Sequence, residues 1–262
     1  MLTAHEALKK RRQLTEDGYC VVDNVVPQEL LDDLRQETDR LLDSVEHPAH
    51  WKYQGSDLHV DGHENGVIDR LVKLQSARDA LDTMGLTDFK SRGGFIILSK
   101  PPGGPALYWH QDWMDWNDPI SAAPWPQYLF LSYYLVDTTV QNGCFRVIPG
   151  THRKRIPLHD RLVTAHDADS YFAPESDSDL FADHPDAVDV PVKAGALVIG
   201  EGRLLHAARA NQSDRQRTLL LGWYDRPATI PKDWPGEVPE VIRQRDPDGS
   251  YPRTRVPGSY LA

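Results

Sequence analysis

Apolar positions along the chain change their spacing near residue 93. Before it they recur with helical period. Residues 3–16 are consistent with a short polar helix, and Cys20-Val21-Val22 with a strand that leaves at Asp23-Asn24. Pro27 suits the first turn of a helix running to about Leu42, in which Leu30, Leu31, Leu34, Leu41 and Leu42 fall on one side. Residues 45–66 predict a loop. Leu71, Leu74 and Leu81 mark a further helix over 67–84. From Gly93 the pattern is that of strands, at 94–99, 106–113, 128–136, 144–149, 188–192, 196–200, 204–209 and 217–225, separated by Gly, Pro, Asn and Asp clusters.

Helices followed by a run of strands predict a mainly β fold with flanking helices packed on two sheets. About eight strands joined by long loops suit a double-stranded β-helix, the cupin-like jelly roll. No repeat or low-complexity block divides the chain, so one domain over 1–262 is expected: a helical part to about 90, a β core over 93–225 and an irregular tail from about Pro227. The acidic stretch 156–187 is long enough to be a lid or binding loop, or else disordered chain.

Composition narrows the partners. Net charge is −10 over 262 residues, which disfavours nucleic acid because phosphate binding needs a basic face. It leaves room for a small-molecule substrate in a local pocket. No apolar run approaches the roughly 20 residues of a membrane span, and MLTAHEALKKRRQ lacks the apolar stretch of a signal peptide. Cys20 and Cys144, both in apolar runs, are expected to be buried reduced thiols, which suits a cytoplasmic protein. The Asn211-Gln212-Ser213 sequon is then idle.

His-x-Asp occurs three times. His184-Pro185-Asp186 lies in an acidic surface stretch, and His59-Val60-Asp61 in a turn-rich one. A second metal cluster at His59, Asp61 and His63 is the weaker alternative there. His110-Gln111-Asp112 instead follows the apolar run Phe95–Leu98 and opens the aromatic segment YWHQDWMDW. Residues two apart on a strand share a face, so His110 and Asp112 can aim at one point while Gln111 faces away. His206, re-entering after the Glu201-Gly202-Arg203 turn, supplies a third ligand from a distant strand. Two His and one carboxylate with open positions suit a non-haem Fe(II) oxygenase. Arg217 opens the run Thr218–Leu221 and can pair bidentately with a carboxylate. Taken singly, each of these residues also reads as an ordinary core or surface side chain.

Together these residues resemble the phytanoyl-CoA dioxygenase family of Fe(II)- and 2-oxoglutarate-dependent oxygenases. The resemblance runs from Asp17-Gly18-Tyr19 to about Tyr224. It is carried by Trp109-His110-Gln111-Asp112, by Asn142-Gly143-Cys144 with Ile148-Pro149-Gly150-Thr151-His152, by His206 with Asn211 and Ser213, and by Arg217 eleven places after that histidine. It implies a double-stranded β-helix with His110, Asp112 and His206 as iron ligands, Arg217 as the 2-oxoglutarate arginine and O2 as oxidant. The implied reaction is hydroxylation of a C–H bond with release of succinate and CO2. Desaturation, epoxidation, cyclisation and a non-catalytic cupin-like binding protein remain as alternatives.

The chain departs from the family where a small hydroxyl residue often follows two places after the distal histidine; here that position is Ala208. Tyr133 is the candidate to assist Arg217 in its place. Asp112, rather than Gly or Ala, argues against the halogenating variants. Trp113 and Trp116 are candidate walls of the substrate pocket, with plain core packing as their alternative. His152 and Arg153-Lys154-Arg155 could attract an anion, but a solvated loop is the preferred reading.

Overall fold

The computed structural model describes residues 2–46, 56–64, 66–162, 178–232 and 234–261. Helix α1 (Ala4–Asp17) is defined at both ends by its own sequence. The Thr3 hydroxyl accepts from the Glu6 N–H at 3.3 Å while the Glu6 carboxylate accepts from the Thr3 N–H at 2.8 Å, a reciprocal cap. At the other end Gly18 takes φ 88° and donates its N–H to the Leu14 carbonyl. A Cβ there would sit 2.7 Å from His152 Nδ1, so glycine is required on two counts.

Strand β1 (Tyr19–Val22) leads into α2 (Gln28–Asp43), which buries Leu30, Leu31, Leu34, Thr38 and Leu42. The helix predicted over 67–84 is two, α3 (Gly66–Val72) and α4 (Gln75–Thr83), separated at Lys73-Leu74. Two short helices, α5 (Ser178–Phe181) and α6 (Glu240–Arg243), come later.

The remaining strands are β2 (Ser56–Asp61), β3 (Lys90–Lys100), β4 (Leu107–His110), β5 (Tyr128–Tyr134), β6 (Phe145–Val147), β7 (Val188–Val190), β8 (Leu197–Glu201), β9 (His206–Ala208) and β10 (Arg217–Asp225). They form a six-stranded sheet ordered β1-β8-β5-β10-β3-β2 and a four-stranded sheet ordered β4-β9-β6-β7, every pairing antiparallel. This is the predicted mainly β fold with flanking helices, a double-stranded β-helix. Strand β2 departs from the sequence expectation of a loop over 45–66: it pairs with β3 along six positions. Its sequence, SDLHVD, alternates weakly, and the edge position requires only one neighbour. The rest of that predicted loop over 47–55, and 163–177 of the acidic stretch, lie outside the described residues.

Strand alternation divides the core in two. Leu129, Leu131 and Tyr133 of β5, Phe95 and Ile97 of β3, and Leu220 and Tyr224 of β10 pack outward against α1, α2 and α4. Phe130 and Tyr134 of β5 and Leu219 of β10 face inward, against Phe145, Val147 and Val190 of the small sheet. Only the inward face can build a site between the sheets.

The tail is not loose. Arg245 grips Asp118 at 2.6 and 2.7 Å, the Thr254 N–H donates to the Met114 carbonyl at 2.7 Å, and Ile242 and Leu261 join Trp113, Trp116 and Trp125 in a separate core. Cys20 and Cys144 are buried free thiols, as the sequence indicates. Burial pushes their pKa values up to about 12 and about 11. Among the described residues no helix is long and apolar enough to cross a membrane.

Candidate metal centre

Strands β4 and β9 pair so that His110 stands directly opposite His206. Between that pair and Leu107↔Ala208, β4 carries one more residue than β9, a bulge that sets the two imidazoles on a common face. Their ring centroids are 4.2 Å apart. Each Nδ1 lies against a main-chain carbonyl two residues back, Tyr108 O at 2.9 Å for His110 and Leu204 O at 3.0 Å for His206. A carbonyl only accepts, so Nδ1 carries the proton in both rings and the lone pair of each ring sits on Nε2, the atom that can ligate a cation.

Asp112 reaches the same point by a different route from the one its spacing suggests. The strand ends at His110. Beyond it, the N–H groups of Asp112 and Trp113 both donate to the Gly202 carbonyl at 2.8 Å, which turns the chain and directs the carboxylate back. Oδ1 then lies 3.8 Å from His110 Nε2 and 3.9 Å from His206 Nε2. Oδ2 accepts the indole N–H of Trp223 at 3.0 Å. One ligand atom from each of the three residues lies within 4.8 Å of the others, and all three side chains are buried. Among the described residues this is the only such group of three. His59, Asp61 and His63 do not form one: Asp61 accepts from the His63 backbone N–H, and the His63 ring faces Asp69 at 3.5 Å.

The turn that aims Asp112 is held by a buried ion pair. Arg203 Nε bonds both Glu201 oxygens at 3.0 Å, and its remaining nitrogens donate to the carbonyls of Ser121, Ala123 and Trp125. Between them Gly202 donates to the Tyr128 carbonyl, and a Cβ there would lie 2.5 Å from the Tyr128 ring. Gln111 points away from the metal centre, as expected, although the strand has already ended; it bonds the Arg203 carbonyl.

A cavity of about 450 Å³ opens on the triad, a size that suits a small-molecule site. At one end stand Arg217 and, opposite it on β3, Lys100. Arg217 is 5 % exposed and its Nε has no hydrogen-bond partner among the described residues. Lys100 Nζ donates to the carbonyls of Pro105 and Arg209 at 2.6 and 3.0 Å. Burial drives its pKa well below the ordinary lysine value, and the Arg217 charge adds to this; burial also lowers that of Arg217. Among the described residues no carboxylate pairs with either cation. Two buried cations without a counter-charge make a place for an anion.

Three sequence expectations need correction. Tyr133 lies on the helix-facing side of β5, in the outer core with Phe95, 6.0 Å between ring centroids. Its neighbour Tyr134 lines the cavity, close enough to Arg217 to feel its charge. Trp113 and Trp116 are not in the cavity wall; they pack in the core under the tail, where the Trp113 indole donates to Ser121 Oγ. His152 is not in a solvated loop. It is buried with Nε2 on the Thr15 carbonyl at 3.0 Å, and burial, reinforced by the Arg203 charge, lowers its pKa to about 3. Sequence reasoning missed Lys100, Tyr134 and Trp223. All three follow from strand alternation once β3, β5 and β10 are in register with the inward-facing Arg217, Leu219 and Phe130.

Comparison with known proteins agrees with this geometry. The phytanoyl-CoA dioxygenase family matches residues 14–219. The chain belongs to that family. It is thereby an Fe(II)- and 2-oxoglutarate-dependent oxygenase. A probable α-ketoglutarate-dependent hypophosphite dioxygenase of Stutzerimonas stutzeri is 28% identical over 191 residues, 71% of this chain and 58% of that protein. A phytanoyl-CoA dioxygenase domain-containing protein 1 homologue of Caenorhabditis elegans is 23% identical over 79% of this chain and 86% of its own length. The epimerase SnoN of nogalamycin biosynthesis, solved with Fe3+, α-ketoglutarate and nogalamycin RO, superposes with TM-score 0.61 at 19% identity, covering 96% of this chain and 99% of that one. The family match ends before Trp223 and before the tail.

Proposed function

We propose that this oxygenase hydroxylates an unactivated C–H bond of a small or medium organic molecule, releasing succinate and CO2, with His110, Asp112 and His206 holding Fe(II) and Arg217 holding 2-oxoglutarate. The observation that carries this is the sharing of one cavity by two features: three ligand atoms with committed outer partners, and a buried arginine–lysine pair lacking an anion. The donor set fits ferrous iron, two imidazole nitrogens and one carboxylate being its characteristic facial group. When bound, iron with 2-oxoglutarate and O2 supplies an oxidant capable of breaking C–H bonds.

The chain's own part is positioning and exclusion. The Tyr108 and Leu204 carbonyls fix both histidine tautomers, and Trp223 holds Asp112 by one oxygen. Arg217 and Lys100 take the distal carboxylate of the 2-oxo acid. Tyr134, in place of Tyr133, supplies the aromatic hydroxyl that Ala208 cannot. Phe130, Phe145, Leu219 and Leu221 form apolar walls that keep water from the reacting centre. The same site with a different substrate pose serves desaturation, epoxidation or cyclisation, and the likeness to an epimerase keeps other outcomes in view. Two reduced, deeply buried thiols support a cytoplasmic location.

Anaerobic addition of Fe(II) and 2-oxoglutarate tests the reading. A weak visible charge-transfer band is expected in the wild type and is lost in Asp112→Ala and His206→Ala. A wild type without the band, or a band undiminished in those variants, overturns it. Succinate release screened over a metabolite library then identifies the substrate.

A further inference from the structure

The cavity carries cations besides Arg217 and Lys100: Arg92 and Arg255 also line it, with Tyr128 and His59. Arg92 lies near the start of β3, at the opposite end of the strand from Lys100, the partner of Arg217. Arg92 lies at a bulge of β3, where three residues stand against the single Trp223 of β10 and Gly93 takes φ 81°. Its guanidinium lies 4.7 Å over the Tyr128 ring, and its Nε is paired with Asp225 at 2.9 Å. Arg255 comes from the tail. Its neighbour Thr254 donates to the Met114 carbonyl at 2.7 Å and bridges Asp115. Arg253 pairs with Asp115 at 2.9 Å and the Pro252 carbonyl accepts from Asn117. These anchors tie the tail to the segment that follows Asp112, and so hold Arg255 beside the metal centre.

The charges there do not cancel. Asp225 offsets Arg92, but among the described residues Arg255 has neither ion pair nor hydrogen bond. The Tyr128 hydroxyl lies within reach of the charges at this end: burial, Asp112 and Asp225 raise its pKa, and Arg92 and Arg255 oppose them. A planar guanidinium stacked on a ring beside a second, unpaired one matches the forked geometry of an oxyanion.

Resting on the oxygenase reading above, we infer that the substrate carries an oxyanion, a carboxylate or a phosphonate-type group, bound by Arg255 and Arg92 in the cavity while its C–H bond is presented to the metal centre. The tail thereby becomes a specificity element that the family match does not include. Arg217 and Lys100, at the opposite end, remain with the co-substrate.

The test uses the full chain with Fe(II) and saturating 2-oxoglutarate under anaerobic conditions, and three probes: methylphosphonate, propionate and uncharged propionamide. The charge-transfer band of the wild type, read first, decides the oxygenase reading independently. With the band present, either charged probe is expected to perturb it in a saturable way, and propionamide is not. The two charged probes separate the phosphonate from the carboxylate source. Arg255→Gln is expected to weaken the charged probe about tenfold while leaving the band without probe unchanged. Arg92→Gln, which does not disturb the tail, gives the same direction. The inference is overturned by no response to charged probes in a band-forming wild type, by equal response to propionamide, by unaltered probe affinity in both variants, or by loss of the band through displacement of 2-oxoglutarate.

Discussion

Trp223 donates its indole N–H to Asp112 Oδ2 at 3.0 Å, while Asp112 Oδ1 faces both histidines. One carboxylate oxygen is thus tied to the large sheet while the other turns toward the two histidines. The tie joins β10 to the turn after β4 and sets the carboxylate's rotation. Trp223→Phe keeps the ring and removes the donor. Its Fe(II) affinity is expected to fall about 10- to 100-fold, as for other outer partners of metal ligands, with little change in melting temperature. Anaerobic Fe(II) titration checks this; unchanged affinity would show that the indole merely packs.

Arg217→Ala removes the buried cation best placed for a carboxylate. A charge-assisted hydrogen bond of roughly 2–3 kcal/mol corresponds to about a 30- to 150-fold rise in the 2-oxoglutarate concentration needed for half-saturation. Fe(II) binding is expected to survive, because Arg217 is not one of the three metal-facing side chains. Titrating the visible band against 2-oxoglutarate separates the two effects. Tyr133→Phe is the companion control: its side chain faces the helices, so the same titration should stay within about twofold of wild type.

How much of this was legible beforehand depends on what each inference needed. The fold followed from the change of period near residue 93, and the triad from residue type and order. The His110–Asp112 pairing nonetheless does not come from strand alternation: the strand stops at His110, and two hydrogen bonds to Gly202 bring the carboxylate round. Tyr133 and Tyr134 show the harder limit. Neighbouring residues on a strand face opposite ways, so choosing between them requires the register, and a slip of one position reverses the answer. Trp113 and Trp116 failed for another reason. The core that takes them in joins Ile120, Ala123, Trp125 and Tyr128 to Ile242 and Leu261 of the tail, whose return to this region no local pattern announces.

His152 supplies a pH dependence of stability. Its pKa is lowered from 6.5 to about 3, chiefly by burial and secondarily by the Arg203 charge. Between those values the unfolded chain takes up the proton and the folded one does not, so the full contribution is present above about pH 6.5 and is lost as pH falls toward 3. At pH 5.5 the loss is about 1.4 kcal/mol relative to pH 7.5. His152→Gln, which can still donate to the Thr15 carbonyl, is expected to flatten this part of the profile. Urea unfolding of both proteins at pH 5.5 and 7.5 measures it, and equal slopes would assign the acid sensitivity elsewhere.

Glu201 and Arg203 are 0 % and 1 % exposed, and they clamp the turn whose Gly202 carbonyl aims Asp112. Removing one partner of a buried pair strands the other. Arg203→Met therefore leaves a buried carboxylate unpaired, already inclined by burial to hold its proton, and orphans the carbonyls of Ser121, Ala123 and Trp125. The expected cost is about 3–5 kcal/mol, or a melting temperature lower by roughly 10 °C for a chain of this size. The double replacement Glu201→Leu with Arg203→Met removes the stranded charge and should recover part of that loss. Calorimetric melting of the three proteins, with Fe(II) titration alongside, distinguishes a clamp that only stabilises from one that also aims the metal ligand: in the second case the recovered melting temperature is not accompanied by recovered metal affinity.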